Sequence, residues 1–535
     1  MTEAVADYES SVIDLSIPGN KRKLNIILIA LMLTMLLAAL DQTIVSTALP
    51  TITSQLGGLN ELSWVVTSYL LASTASTPLW GKLSDLYGRK LMLQSAVVVF
   101  LIGSALAGIS QNMTQLIGFR ALQGLGAGGL MVLILAVLAD IVTPRDRGKY
   151  SGLFGAVFGV ASVVGPLLGG LFTQHLSWRW VFYINLPIGI AAFIVLGSAL
   201  HIRTRKSTHS IDWLGAALLV ACVVMALLVT VWGGQKYAWT SDVILGLIAG
   251  TLITGVLFVW QERRHPEPVV PLSMFKIQTM RLTSAMGFVV GFAMFGAIVY
   301  LSIFMQVVRG ATPTVAGLQL IPLMIGVLTM SIISGRVISK TGRYKIFPVV
   351  GTAVATVGMY MLSTVGVHTP YWFIFLSAMV LGAGLGSVMQ VLIIAVQNSV
   401  EPKQMGAATS MSMFSRSIGG SFGTAIFGAV WAAQLTTQLK KVLPPEMASQ
   451  LHSGGGSAIT SSIANISALP GALHDAVLGA LAIAIDHTFL VAVPIMFIAF
   501  ILALFLKEKP LQGKKPDLES ELASDAGVPL PSSFE

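Results

Sequence analysis

Fourteen apolar blocks, most of them about as long as a bilayer is thick, leave this chain one broad solution, a bundle of membrane-spanning helices. Crossing the hydrocarbon takes about 20 apolar residues in helical form. Blocks of that order fall near 24–47, 61–80, 91–109, 114–138, 149–173, 180–201, 211–232, 242–260, 282–307, 315–335, 346–366, 371–394, 407–433 and 486–506. Of the 535 residues, 55% are hydrophobic and 10% charged, against roughly 25% charged in soluble proteins. Too few charges exist to coat a water-facing surface. The expected fold class is therefore an all-α polytopic membrane protein.

An even number of crossings puts both termini on one side, and Lys and Arg say which. With the N-terminus in the cytoplasm, the inner segments hold 25 of the 32 Lys and Arg. The outer segments hold Arg179, Lys236, Arg309, Lys440 and Lys441, while Arg120 and Arg416 fall inside spans. The net charge of +9 thus lies in short clusters between apolar blocks and forms no patch, which argues against a nucleic-acid partner. Residues 1–20 are polar and the first apolar block is too long for a secretory h-region, so no cleavable signal peptide is expected. With Cys222 as the single cysteine, no internal disulfide can form.

The loop after the second span reads Gly81-K-L-S-Asp85-L-Y-Gly88-Arg89-Lys90, and the loop after the tenth reads Gly335-R-V-I-S-K-T-Gly342-Arg343-Y-Lys345. Gly, Gly and Arg recur at equal spacing, as expected of the repeated halves from which many secondary transporters are built. With six spans per half, spans seven and eight are an inserted pair. The expected organisation is a cytoplasmic segment (1–23), a six-helix bundle (24–201) and a linker with two inserted helices (202–265). A second six-helix bundle (266–509) follows, with a long outer loop at 434–485, and then a disordered cytoplasmic tail (510–535).

A few residues carry chemistry. Asp41 lies deep in the first apolar block, where a carboxylate is costly unless neutralised, paired or hydrated. A rise of 1.5 Å per residue puts it about 26 Å from the inner end of its span, and Arg120 about 9 Å from the outer end of the fourth. Both fall in the outer half of the membrane, so one shared polar network is expected, either a proton-handling one or a static structural pair. Asp85 is placed to accept from helix N-terminal amides or to pair with a basic residue, latching two bundles together. Gly81, Gly88, Arg89 and Lys90 complete that motif, and Arg89 and Lys90 also hold topology. Ser339 stands where Asp85 does in the second copy, which predicts a weaker latch there.

The fifth span carries Gly155, Gly159, Gly165-Pro166 and Gly169-Gly170, a pattern for a bent helix that packs closely on its neighbours. Arg416, in the thirteenth span, has no Asp or Glu between Leu282 and Val400 to pair with. It faces a wet central cavity or pairs with backbone carbonyls. Gln123, Tyr69, Tyr300, Phe304, Gln390 and Arg416 are the candidates for a substrate cavity, with plain helix packing as the competing reading of the aromatics. Chain-wide, the phosphate-cradling loop of an ATPase is absent, and His201, His209 and His265 lack metal-ligand spacing. An enzyme, a metal site and a cofactor are therefore not expected.

These residues resemble the major facilitator superfamily, specifically its fourteen-span drug:proton antiporter branch (EmrB/QacA-like). The resemblance rests on Leu40-Asp41-x-Thr43-Ile44-Val45…Ala48-Leu49-Pro50, the 81–90 loop, Arg120…Gln123-Gly124, Gly165-Pro166…Gly169-Gly170 and Trp178-Arg179-Trp180…Asn185-Leu186-Pro187. It implies two six-helix bundles, alternating access and proton-driven export of lipophilic compounds. Asp41 would be the proton-responsive carboxylate, Arg120 its partner, and Asp85 with Arg89 the inner latch. The tenth span lacks the acid found in exporters of multivalent cations.

The expectation is a monomeric proton antiporter of the cell membrane, a bacterial inner membrane, with both termini cytoplasmic. Its partners would be protons, the lipid bilayer and lipophilic or amphipathic small molecules. From Leu473 to Leu506 the chain is largely apolar, about 51 Å of helix. This stretch is either an outward extension of the last span, paired with one from span thirteen, or a separate interfacial helix. It suggests a second reading, a lipid exporter using the 434–485 loop with an outer partner protein. A receptor or scaffold without transport is a third.

Overall fold

The structure is a computed structural model that describes residues 20–56, 62–200, 212–234, 236–401, 404–442, 471–508 and 511. A long helix forms at each of the fourteen apolar blocks. They are α1 (Asn20–Leu56), α2 (Leu62–Tyr87), α3 (Arg89–Ile109), α4 (Met113–Ile141), α5 (Pro144–His175), α6 (Asn185–Ala199), α7 (Trp213–Trp232), α8 (Asp242–Glu262), α9 (Gln278–Ile303), α10 (Ile321–Thr341), α11 (Ile346–Leu362), α12 (Tyr371–Gln397), α13 (Met405–Val442) and α14 (Gly471–Leu504). Twelve helical stretches among the described residues are long and apolar enough to cross a membrane. The other two positions are α2 and α11. Ser and Thr crowd α2 at 67–68, 73–74 and 76–77. The apolar α11 has 17 residues, about 25 Å at the helical rise.

Local chemistry sets several boundaries. Asn112 caps α4 by accepting from Gln115 N at 2.9 Å, and Asp212 caps α7 by accepting from Gly215 N at 2.8 Å. At the start of α5, Thr143 Oγ1 accepts from Asp146 N at 3.3 Å, with Pro144 in the first turn where no backbone donor is missed.

Helices α1–α6 close around one apolar core that includes Leu133, Phe100 and Phe154. Helices α9–α14 close around another, with Phe292, Phe304, Phe427 and Phe489. Between them, α5 runs along α10 and α2 along α13. The pair α7–α8 sits outside, with α7 against α2 and α13. Along α8, Leu252 and Val256 are large, apolar and exposed.

Each repeated loop turns at a glycine of positive φ, but with a different ψ, 146° at Gly88 and 1° at Gly342. Gly88 and Gly342 have φ of 93° and 69°, the left-handed region that a side chain disfavours. Each loop also docks on the start of the fifth helix of the other half. Asp85 reaches the first turn of α13, and Ser339 Oγ donates to Asp146 Oδ1 in the first turn of α5 at 3.3 Å.

One expected boundary is corrected. Residues 434–442 belong to α13 and 471–485 to α14, so the expected loop keeps only 443–470, which lies outside the described residues. Leu435 and Leu439, one turn apart on α13, are buried in one cluster with Val477, Leu481 and Ile485 of α14. That shared apolar stripe keeps both helices wound beyond their spans. Residues 473–484 are therefore the start of α14 and no separate interfacial helix.

Candidate functional site

The site begins with close helix packing in the first half. A Cβ on Gly124 would collide with the backbone of Tyr69, and one on Gly103 with Gln123. These glycines let α4 lie between α2 and α3 and bring its polar residues to α1. Asp41 of α1 is 0% exposed and Arg120 of α4 is 1% exposed. Their ion pair is direct, Arg120 Nη1 to Asp41 Oδ2 at 2.6 Å. The other carboxylate oxygen, Oδ1, accepts from Gln123 Nε2 at 2.8 Å and from Asn185 Nδ2 at 3.1 Å. Arg120 also donates to Gln123 Oε1 at 2.7 Å and to Val65 O at 3.3 Å, and stands 4.1 Å above the Tyr69 ring.

Asn185 opens α6 and was not singled out as a site residue. Its amide also donates to Ser104 Oγ at 3.0 Å, which ties α3 and α6 into the same network. An amide beside Leu186-Pro187 reads as a turn in sequence, and its chemistry emerges only when α6 packs on α1.

A cavity of about 150 Å³ lies between the two halves. Gln42, the residue after Asp41, is on its wall, as are Gln390 and Arg416. Met35, Met131, Met294, Met324, Met389 and Met413 supply much of the rest, an adaptable and polarizable lining. Other candidates lie elsewhere. Tyr69 and Gln123 belong to the Asp41 network. Tyr300 and Phe304 are not on the cavity wall; both are buried in the second-half core, with Tyr300 edge-on to Phe427 at 5.7 Å between ring centroids.

At the end of the bundle where the basic loops gather, Asp85 Oδ1 pairs with Arg89 Nη1 at 2.5 Å and accepts from Gly406 N at 3.1 Å. Its other oxygen accepts from Ala407 N at 2.9 Å. The carboxylate thus receives two free amides of the first turn of α13, where the helix dipole favours negative charge. Arg89 Nε bonds Asp140 Oδ2 at 2.8 Å, so a second acid from α4 shares the guanidinium. Asp140 ends an apolar block and reads in sequence as a solvated carboxylate. Gly81 is buried against Ser410 and the Gly406 carbonyl, and Lys90 Nζ donates to Gly197 O at 2.6 Å.

The glycine–proline run of α5 faces two partners. Gly165 and Gly169 lie on α1, and a Cβ on either would strike Thr43 or Thr47 respectively. Thr43 Oγ1 also donates to Ala161 O across that interface at 3.0 Å. Gly155 and Gly159 face Ser331 and Leu328 of α10, in the other half. Gly170 has open space around it, and Pro166 lies inside the helix. One helix therefore touches both the helix bearing Asp41 and the opposing half.

The sequence profile of the Major Facilitator Superfamily matches residues 31–424. An uncharacterized MFS-type transporter of Mycobacterium tuberculosis is 42% identical over 520 residues, 96% of this chain and 73% of that protein. The multidrug transporter protein MdtP of Bacillus subtilis is 40% identical over 427 residues, 80% of this chain and 79% of that protein. The crystal structure of the human organic anion transporter MFSD10 superposes with a TM-score of 0.60 over 90% of this chain and 99% of that one, at 15% identity, a likeness of fold alone.

Proposed function

This chain belongs to the Major Facilitator Superfamily, whose members are membrane transporters and not enzymes, and from that premise we propose that it is a proton-coupled antiporter exporting lipophilic or amphipathic small molecules. A relative named a multidrug transporter and another named a multidrug resistance protein support the efflux reading. We assign it to the fourteen-span drug:proton branch, with α2 and α11 as the remaining crossings and both termini cytoplasmic, in a bacterial inner membrane. The chain works as a monomer of two six-helix bundles that rock about the cavity.

One observation carries the coupling. Asp41 is fully buried with Arg120, while its neighbour Gln42 opens on the cavity. A proton on Asp41 removes the charge that holds Arg120. Arg120 then turns toward Gln123, Val65 and the Tyr69 ring, which already contact it. The same stretch of α1 bears Thr43 and Thr47, packed on the glycines of α5, so the change is felt at a helix that also touches α10. Substrate and proton thereby act on one network from opposite sides of the cycle. No cofactor is needed; the proton gradient is the driving force.

The test is Asp41→Asn in proteoliposomes with an imposed pH gradient. Efflux driven by that gradient is expected to vanish while the variant still inserts and elutes as a folded species. Efflux at the wild-type rate would remove Asp41 from the coupling.

A second reading, lipid export with an outer partner protein, draws on α13 and α14. Their 38 and 34 residues make about 57 and 51 Å of helix, beyond a hydrocarbon core of about 30 Å. Movement of a fluorescent phospholipid between leaflets in the same vesicles, lost when 443–470 is removed, would favour it over drug export.

A further inference from the structure

Among the described residues that line the central cavity, Arg416 alone is charged. Its side chain leaves the middle of α13, where the backbone is pinned because Gly291 of α9 lies directly on the Arg416 carbonyl. Among the described residues the guanidinium has no hydrogen bond, ion pair or aromatic ring as partner. A guanidinium keeps its charge under all physiological conditions. An unpaired one at membrane depth is costly, and its presence marks a place where a partner arrives.

The acids that might neutralise it are engaged or absent. Asp41 is held by Arg120, Gln123 and Asn185, and Asp486 of α14 is not on the cavity wall. From Leu282 to Val400 no acid occurs at all. Another polar group on the same wall lacks a partner, since Gln390 Oε1 is buried without a hydrogen bond. Apart from the uncharged polar side chains Gln42, Ser73, Thr74, Thr77, Ser331 and Ser417, the remaining wall is methionine, aliphatic, glycine and phenylalanine.

We infer that the transported substrate is an amphipathic anion, with a carboxylate, sulfonate or phosphate received by Arg416 and an apolar body against the methionine wall. A hydroxyl or N–H near the anionic group would find Gln390 Oε1. A cationic drug would meet like charge and no acid, which sets this chain apart from exporters of cations. The inference rests on the export reading for its transport consequences and stands apart from it for binding.

Charge balance gives a signature. One proton entering and one monoanion leaving both carry positive charge inward, two charges per cycle. One proton exchanged for one monovalent cation carries none. An inside-negative potential without a pH difference should therefore drive anion efflux from proteoliposomes.

Binding is measured first, with protein in nanodiscs of zwitterionic lipid. Radiolabelled phenylbutanoate is compared with phenylpropyl-trimethylammonium, a cation of the same skeleton. The expected result is preferential binding of the carboxylate, weakened at least about tenfold by Arg416→Gln, the effect of losing a charged hydrogen-bond donor. Arg416→Lys should recover part of it. Displacement of the carboxylate by added phosphatidylglycerol would assign the anion to a lipid headgroup; no displacement would assign it to a free small molecule. Equal or tighter binding of the ammonium, or no effect of Arg416→Gln in a variant that melts like wild type, would overturn the inference. Because binding needs no transport, a failed export assay leaves this result readable. Anion efflux indifferent to membrane potential would count against the anion even where pH-driven export succeeds.

Discussion

At the residue scale, the decisive contact is a charge pair whose members are affordable only together. Asp41 has every oxygen occupied, by Arg120, Gln123 and Asn185. Removing one partner of a buried pair typically costs about 3–5 kcal/mol, because the other charge is left without compensation. Arg120→Ala should therefore lower the melting temperature sharply in purified protein, and Asp41→Asn combined with Arg120→Gln should recover most of the loss. A double variant no more stable than Arg120→Ala would mean that the single loss comes from packing on Tyr69 and not from the stranded carboxylate. The pairing was legible in sequence from depth alone, since helical rise places the two residues at similar heights. Asn185 was not, because an amide's partners are set by which helices touch. The six cavity candidates divide for the same reason. Gln390 and Arg416 reach the cavity, while Tyr300 and Phe304 face an apolar core. In a helix that is apolar all round, sequence periodicity cannot separate core from cavity.

At the element scale, α5 links the two halves through glycines that serve different neighbours. A methyl at Gly169 would strike Thr47 and lie 2.7 Å from the Ile44 carbonyl, an atom of the α1 backbone that has nowhere to go. Gly169→Ala should destabilise by about 1–3 kcal/mol, as overpacked cores do, and slow transport. At Gly170 the same change meets nothing within 4 Å and should be close to neutral in both thermal melting and efflux. Equal effects at the two positions would mean that helix propensity, and not the α1 contact, governs this segment. The glycine run announced close packing in the sequence, but which glycine meets which helix followed only from the crossing of α1 and α5. The extensions of α13 and α14 are similar. The expected loop begins at 434, whereas Leu435 and Leu439 are buried against α14 and keep the helix going.

At the scale of the whole molecule, the two halves are tied at the basic end by Asp85 on the first turn of α13 and by Ser339 on Asp146. The two contacts are related by the repeat, yet only the first brings a carboxylate to free helix amides. Asp85→Asn should loosen that end. With nitroxides at positions 87 and 343, one on each half, in a Cys222→Ser background, pulsed electron resonance should show an added longer-distance population in the variant. An unchanged distance distribution would mean that the contact between α5 and α10 closes this end without help from Asp85.

Hydropathy and charge placement, read along the sequence, determined that the chain crosses a membrane many times, where its helices lie, and that Asp41 and Arg120 share one depth. Those properties follow from the solvent: lipid demands helices of a given length and penalises lone charges, whatever the neighbours. Tertiary structure alone decided that Asn185 and Asp140 join the two ion-pair networks, that Tyr300 and Phe304 are core, and that Arg416 stands unpaired on a methionine wall. Those outcomes depend on which faces of many uniformly apolar helices meet, and a pattern without a polar side leaves that choice to packing.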